Sequence, residues 1–114
     1  MDDRFLQQLK KGVLEMLVLE TVCRESTYGY ELLTGLKARS NGLFALKEGT
    51  LYPILYRLED DGLIEASWSQ GEGRTAPKKI YSATEKGRQE RLRRWQIWGE
   101  FVSAVNGFYK EDEK

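Results

Sequence analysis

An unusual set of side chains lies along one side of a predicted helix at residues 48–61. Helical spacing places Tyr52, Tyr56 and Arg57 on this side, opposite a face of leucine and isoleucine. Solvent-facing helices ordinarily carry Glu, Lys and Gln, whereas Tyr and Arg contact phosphates, sugars and base edges of nucleic acids. Pro53, inside the same helix, costs about 3 kcal/mol and suggests a required shape. The pattern indicates a surface that reads nucleic acid; the alternative is that the tyrosines pack on a neighbouring hairpin.

Charge is distributed unevenly along the 114-residue chain. Eighteen basic and eighteen acidic residues give zero net charge, but residues 63–94 carry +4, whereas residues 1–62 and 95–114 carry −2 each. A local field of this kind, rather than the net charge, steers a polyanion toward one face. Charge alone favours a plainer interpretation, in which the basic residues only solvate a helix and a hairpin.

The chain lacks the side chains that most enzyme and metal sites need. It has no histidine and one cysteine, which excludes His-based acid/base catalysis, intrachain disulfides and Cys-cluster metal sites. Cys23 ends an apolar helical pattern and is interpreted as a small core residue rather than a redox sensor. We therefore expect neither an enzyme nor a cofactor. The longest apolar run, Met16–Leu19, is too short for a membrane span, and the acidic N-terminus lacks a secretory layout, so a reduced, cytoplasmic compartment is expected.

The hydrophobic pattern predicts helices, then a hairpin, then a long helix. The predicted helices cover residues 3–24, 28–39, 48–61 and 84–109, and the predicted strands cover residues 63–69 and 79–83. Ser26 or Thr27 is expected to cap the second helix, and Thr84 the last. This order predicts a mainly α fold with a small β-hairpin (α+β), as one structural domain. Its parts are a winged helix-turn-helix at residues 1–83, a dimerisation helix at 84–109 and a charged tail at 110–114.

Apolar residues in the last predicted helix follow a coiled-coil period. They are spaced 3, 4, 3 and 4 residues apart from Trp95 to Tyr109, which keeps one stripe facing a partner helix. So large an apolar stripe on a short chain indicates an interface. The alternative is that this helix packs back on the first helix of its own chain. The predicted dimer interface comprises Trp98, Phe101, Val102, Val105 and Tyr109.

Trp95 and Trp98 on this stripe support a second hypothesis. Dimer-related indoles near a symmetry axis would form a slot for a flat aromatic or hydrophobic effector, held by stacking or by cation–π attraction. The alternative is that both tryptophans only fill the interface, because aromatic residues are enriched in interfaces without any ligand.

Three segments carry a resemblance to a known family. Residues 49–59, GTLYPILYRLE, are followed by Gly62-Leu63-Ile64, and residues 28–31 read YGYE. Residues 79–87 read KIYSATEKG. In this order the segments resemble the third helix, second helix and second wing strand of PadR-type transcriptional regulators, in the compact branch with a single C-terminal helix. The Thr-Leu-Tyr-Pro element is fairly specific, and the resemblance covers nearly the whole chain.

The resemblance implies a homodimer that binds a palindromic double-stranded DNA operator and usually represses a promoter. It implies DNA contacts from the third helix at Thr50, Tyr52 and Arg57, beside the outward Tyr56. The wing contacts that it implies are Arg74, Lys78 and Lys79. Lys10 and Lys11 are weaker candidates for contacts to the DNA backbone. Trp98 also resembles a tryptophan of the drug-sensing branch of the family, on which flat ligands would stack.

The chain departs from the family pattern at a few positions. Lys47 stands where Ser, Thr or Asn often precedes the third helix, so its N-cap oxygen is lost. Ile80 and Ala83 give the second wing strand less apolar bulk. The competing hypothesis is a winged-helix protein–protein adaptor without DNA binding, which the −2 charge of the first 62 residues favours.

Overall fold

Four helices and a three-stranded antiparallel sheet make up the described residues, 3–71 and 73–110, of the computed structural model. The helices are α1 (Arg4–Arg24), α2 (Gly29–Arg39), α3 (Glu48–Asp60) and α4 (Glu85–Gly107). The strands are β1 (Thr27–Tyr28), β2 (Ile64–Trp68) and β3 (Lys79–Ala83). The predicted α+β class and the order of helices, hairpin and long helix are therefore confirmed.

Side-chain oxygens cap the first and last helices but not the second. The Asp3 carboxylate accepts hydrogen bonds from the first amides of α1, and the Thr84 hydroxyl accepts one from the Gly87 amide, as expected for Thr84. The expected cap of α2 by Ser26 or Thr27 is wrong. The Thr27 hydroxyl instead donates to the Glu31 carboxylate at 2.6 Å, and its backbone belongs to β1.

The third strand of the sheet was not predicted. The strand order is β1-β3-β2, with Thr27 opposite Tyr81 and Ala66 opposite the same tyrosine on the other side. A two-residue strand is too short to leave a periodic signal in the sequence. Strand β1 fixes the start of α2 beside the wing, because β1 immediately precedes α2 and β3 pairs with both β1 and β2.

The core is formed by one apolar face from each of α1, α2 and α3 together with the sheet. Tyr81, at the centre of the sheet, is only 1% exposed, and burial raises the pKa of its hydroxyl group. The other buried apolar residues are Leu14, Val18, Leu19, Val22, Leu32, Leu36, Leu51, Ile54, Leu55, Leu58, Leu63 and Ile64. Partly buried Cys23 packs against this core, and burial raises the pKa of its thiol, in accord with a packing role.

Apolar residues at the two ends of the chain stay outside this core. Phe5 and Leu9 of α1 are 67% and 51% exposed, although they lie four residues apart, a spacing typical of one buried helix face. In α4, Gly87 is the one buried residue. The radius of gyration is 16.9 Å, above the roughly 13 Å of a compact chain of this length. The chain is elongated, with most of its long last helix lying outside the core.

The expectations about the charged tail, membrane spans and metal sites can be compared only with the residues that the structure describes. Apart from Lys110, the predicted charged tail falls on residues 111–114, which lie outside the described residues. Within residues 3–71 and 73–110, no helix is long and apolar enough to cross a membrane. The same residues contain no group of three or more His, Cys, Asp or Glu side chains that would hold a metal ion.

Candidate nucleic-acid interface

The outward face of α3 is open to solvent along most of its length. Leu51, Ile54, Leu55 and Leu58 fix the helix on the core, and they are at most 4% exposed. On the opposite side Thr50, Pro53, Tyr56 and Arg57 are exposed. The predicted division of the helix into a core face and a free face is therefore confirmed for these residues. Since Pro53 has no amide hydrogen, the Gly49 carbonyl has no donor within the helix.

Tyr52 is the exception on the predicted outward face. Its ring is half-buried and packs against the core, and its hydroxyl group lies over Gly29 at the start of α2. A Cβ atom at residue 29 would collide with that hydroxyl group. The expectation of an outward Tyr52 is therefore wrong: the ring closes the angle between α2 and α3. A rim contact to DNA by its edge remains a prediction.

Arg57 contacts the first helix while keeping a free side. Its Nε lies 3.7 Å from Oε2 of Glu15, and 57% of its side chain is exposed. Surface ion pairs of this kind contribute only about 0–1 kcal/mol. The guanidinium group is therefore positioned by α1 but is available to a stronger anion.

Lys79 joins the wing to α3. Its Nζ lies 3.9 Å from the Glu59 carboxylate and 5.8 Å from the ring centroid of Tyr56. The Tyr56 ring is itself 52% exposed and lies 6.3 Å from that of Tyr52. Cation and aromatic rings attract each other at such distances. Together these contacts make α3 and the base of the wing one continuous surface.

The wing loop carries its positive charge beyond the ordered ladder. The Ser69 amide donates to the Lys78 carbonyl, and the Lys78 amide donates to the Ser69 hydroxyl, both at 2.8 Å. The Lys78 ammonium lies 4.3 Å from the ring centroid of Tyr28. Arg74 is exposed near the tip, after Gly73 with a φ of 59°. Both cations are exposed to solvent.

The start of α3 is held only by backbone hydrogen bonds. Lys47 occupies the N-cap position and provides no side-chain cap, as its residue type predicted. The Thr50 amide instead donates to the Lys47 carbonyl at 3.0 Å. A lysine adds positive charge at the positive end of the helix dipole, so an anion bound there would be favoured.

A dense junction ties the end of α3 to the start of α4. The Thr84 hydroxyl donates to the Gly62 carbonyl at 2.6 Å, and the Lys86 ammonium donates to the Asp61 carbonyl at 2.8 Å. Gly87 approaches the Leu63 carbonyl so closely that any Cβ atom would collide with it. Gly62 turns the chain with a φ of 73°. The direction of α4 is thereby fixed to that of α3.

The predicted dimer stripe is exposed in the single chain. Trp95, Phe101, Val105 and Tyr109 are 65%, 58%, 42% and 85% exposed, whereas Val102 is half-buried. α4 ends at Gly107, so Tyr109 lies in the turn after the helix rather than within it. The helix also packs on α1, where Arg91 makes two hydrogen bonds to Glu20. The contact with α1 thus leaves most of the stripe uncovered.

The two tryptophans of α4 line different grooves. Half-buried Trp98 faces a groove of about 650 Å³ between α1 and α4, with Leu9, Met16, Ile97 and Phe101 among its lining residues. Trp95 borders a smaller groove of about 350 Å³ on the other side of Met16. Within one chain the indoles therefore do not face each other, and Trp98 has the more apolar surroundings.

Comparison with known proteins decides the family. The model of the PadR-like family of transcriptional regulators matches residues 18–93. The chain belongs to this family. A solved PadR-family transcriptional regulator from Eggerthella lenta is 30% identical, with a TM-score of 0.83, covering 95% of this chain and 91% of that one. A PadR-like transcriptional regulator from Bacillus cereus is 33% identical, with a TM-score of 0.77, covering 92% of this chain and 99% of that one.

Some PadR relatives are longer than this chain. The negative transcriptional regulator PadR of Bacillus subtilis is 29% identical over 85 residues, which cover 75% of this chain and 46% of that protein. The match to the PadR-like family model includes all of α3 and the wing but ends before Trp95. The family-model match therefore covers the winged helix and the start of α4 but not the predicted dimer stripe.

Proposed function

We propose that this PadR-like regulator is a homodimeric repressor that binds a palindromic DNA operator through α3 and the wing. The single observation that carries the proposal is the continuous surface that the exposed Tyr56 and Arg57 of α3 form with the partly exposed Lys79 at the base of the wing. Tyrosine and arginine contact both phosphates and base edges. Thr50, Arg74 and Lys78 extend this surface at either end. The name of the Bacillus subtilis relative, a negative regulator, supports repression.

Dimerisation follows from the apolar residues left uncovered at the two ends of the chain. The stripe from Trp98 to Val105, together with Phe5 and Leu9, would be buried against a second copy. Contiguous exposed apolar surface of this size is typical of interfaces. Two copies of α3 would then enter successive major grooves about 34–36 Å apart.

An effector site belongs to the same proposal. The groove beside Trp98 is apolar and of the volume of a small-molecule pocket, and the partner's indole would close it near the dimer axis. A planar aromatic or hydrophobic compound is the expected ligand. A hydrophobic dye should quench tryptophan emission, and Trp98→Ala should weaken dye binding. Equal binding by the variant would place the site elsewhere, for example beside Trp95.

Selection of bound sequences from a random DNA library tests the function. We expect a palindromic site, bound with an affinity that falls steeply with salt. The variant with Arg74, Lys78 and Lys79 changed to Ala should bind more weakly and with a smaller salt slope, by about 0.9 for each lost phosphate contact. Arg93→Ala on α4 controls for the loss of a single cation away from the wing, since Arg93 pairs with Glu90; the wing variant should lose more than three times its effect.

Two outcomes would contradict the proposal. If the wing variant is folded and dimeric but binds the selected operator with unchanged affinity and slope, the wing assignment is wrong. If no selected sequence binds better than random duplex, the protein–protein adaptor becomes the better account. Arg57→Ala separates two roles on the same operator: loss of discrimination indicates contact with a base edge, and uniform weakening indicates contact with the backbone.

A further inference from the structure

Trp68 is an exposed aromatic residue that the surface described so far does not include. It is the last residue of β2, and 68% of it is exposed. The other two of the chain's three tryptophans lie on α4. Exposing a side chain of this size to water forfeits a large hydrophobic gain, so its position on a wing suggests a partner.

The strand register fixes the direction of the Trp68 side chain. Side chains alternate across a strand, so Trp68 shares a face with Ala66 and Ile64, and Ile64 is buried in the core. Lys79 lies directly opposite on β3. This face of the sheet is therefore the one directed toward α3.

The neighbours of Trp68 are those of the proposed DNA surface. Lys79, its cross-strand partner, contacts both Glu59 and the exposed ring of Tyr56. The hydrogen bonds between Ser69 and Lys78 extend the ladder one residue past Trp68. The indole therefore projects from the strand ladder rather than from the loop at the tip of the wing.

We propose that Trp68 contacts duplex DNA through its ring, packing against deoxyribose and base edges next to the groove that α3 enters. This inference rests on the proposed DNA binding and adds an apolar contact to it. Duplex DNA is the occupant because the indole lies on the sheet face directed toward α3, opposite Lys79, whose ammonium lies near the exposed ring of Tyr56. A second copy of the chain has its own apolar surface, on α1 and α4. Apolar side chains of DNA-binding proteins contact thymine methyl groups in the major groove, and minor-groove binders insert them between base steps.

An apolar contact has a signature that a phosphate contact lacks. Trp68→Ala should weaken operator binding about tenfold but leave the slope of log K against log salt unchanged, because no counterion is released. Trp68→Phe should retain most of the affinity. Arg74→Ala is the matched comparison on the same wing and should reduce the slope. Thermal melting of each variant confirms that it is folded.

Fluorine NMR of the intact protein labelled with 5-fluorotryptophan gives a direct readout. The resonance lost in Trp68→Phe identifies Trp68, and operator DNA should shift that resonance. If wild type binds DNA but this resonance does not move and Trp68→Ala binds equally well, the inference is wrong while the proposed function stands. A slope reduced as much as in Arg74→Ala, or a shift that depends on protein concentration without DNA, also overturns it. Absence of DNA binding by wild type overturns both.

Discussion

Arg57 on α3 and Glu15 on α1 form an ion pair with an Nε–Oε2 distance of 3.7 Å. Glu15 also borders the groove between α1 and α4 in which Trp98 lies. One carboxylate thus contacts both the proposed reading helix and the proposed effector groove. If Arg57 contacts DNA, Glu15 competes with the DNA for the same guanidinium group.

Glu15→Gln is therefore expected to raise DNA affinity by about two- to fivefold, since it removes a competitor for Arg57. The increase should disappear when Arg57 is changed to Ala, as a double-mutant cycle of operator affinities would show. An increase of equal size with and without Arg57 would mean that Glu15 acts only through the general field at the DNA phosphates.

Gly29→Ala should destabilise the protein by about 1–3 kcal/mol, because the new methyl group collides with the Tyr52 hydroxyl. Tyr52→Phe in the same chain should recover part of the loss. Gly35→Ala is the matched control in α2, where a Cβ meets no atom within 4 Å, and it should stabilise by about 0.5–1 kcal/mol. Denaturant unfolding measures all three. Equal effects at the two glycines would contradict the packing of Tyr52 on α2.

Lys47→Ser should stabilise α3 by supplying the missing N-cap oxygen, with a gain of about 0.5–2 kcal/mol. Lys47→Ala removes the same positive charge without adding a cap oxygen, so it separates the two effects on the stability of α3. Thermal melting should rank Ser above Ala. If the two variants melt together, the start of α3 does not need a side-chain cap. A drop in DNA affinity shared by both variants would reveal a phosphate contact by Lys47.

Acid should weaken the attachment of α4 to α1. Hydrogen bonds from Arg91, opposed in part by burial, hold the pKa of the Glu20 carboxyl below its ordinary value. A lowered folded-state pKa contributes stability that is present above the unfolded pKa and is lost as pH falls through the folded one. Glu20→Gln should therefore flatten the dependence of melting temperature on pH below about 5. Glu25→Gln, which removes an exposed carboxyl, should flatten it less.

Replacing Val102 and Val105 together by Asp should give monomer or unfolded chain, because two charges would enter the proposed interface. Gln96→Asp with Ser103→Asp adds the same charge to exposed positions on the opposite side of the helix from the stripe and should leave the dimer intact. Sedimentation at micromolar concentration distinguishes these states. A stable wild-type monomer would contradict the dimer.

Periodic elements could be predicted from the sequence, and contacts between elements could not. The face of leucine and isoleucine on α3 repeats often enough to be recognised, and so does the strand alternation that ends at Trp68. The two-residue strand at Thr27 has no period, and it forms only because β3 presents a free edge. A helical wheel places Tyr52 on the outward side of α3. Its ring is nevertheless half-buried, because Gly29 has no side chain at the point where α2 crosses α3. The sequence of α3 alone does not reveal this contact. The outward positions of Tyr56 and Arg57 were predictable from the helical wheel, because contacts from β3 and α1 leave both side chains more than half exposed.

The junction of Gly62 and Leu63 with Thr84 has a consequence for how such chains diversify. Both ends of the hairpin are anchored at this one point, at 2.6 Å from the Thr84 hydroxyl to the Gly62 carbonyl and 3.1 Å from the Thr84 amide to the Leu63 carbonyl. Insertions beyond the hydrogen bonds between Ser69 and Lys78 can lengthen the hairpin without altering the orientation of α4. The tip of the hairpin is thus a module whose length can change independently of the symmetry of the assembly, and it is the natural place to graft a new sequence preference.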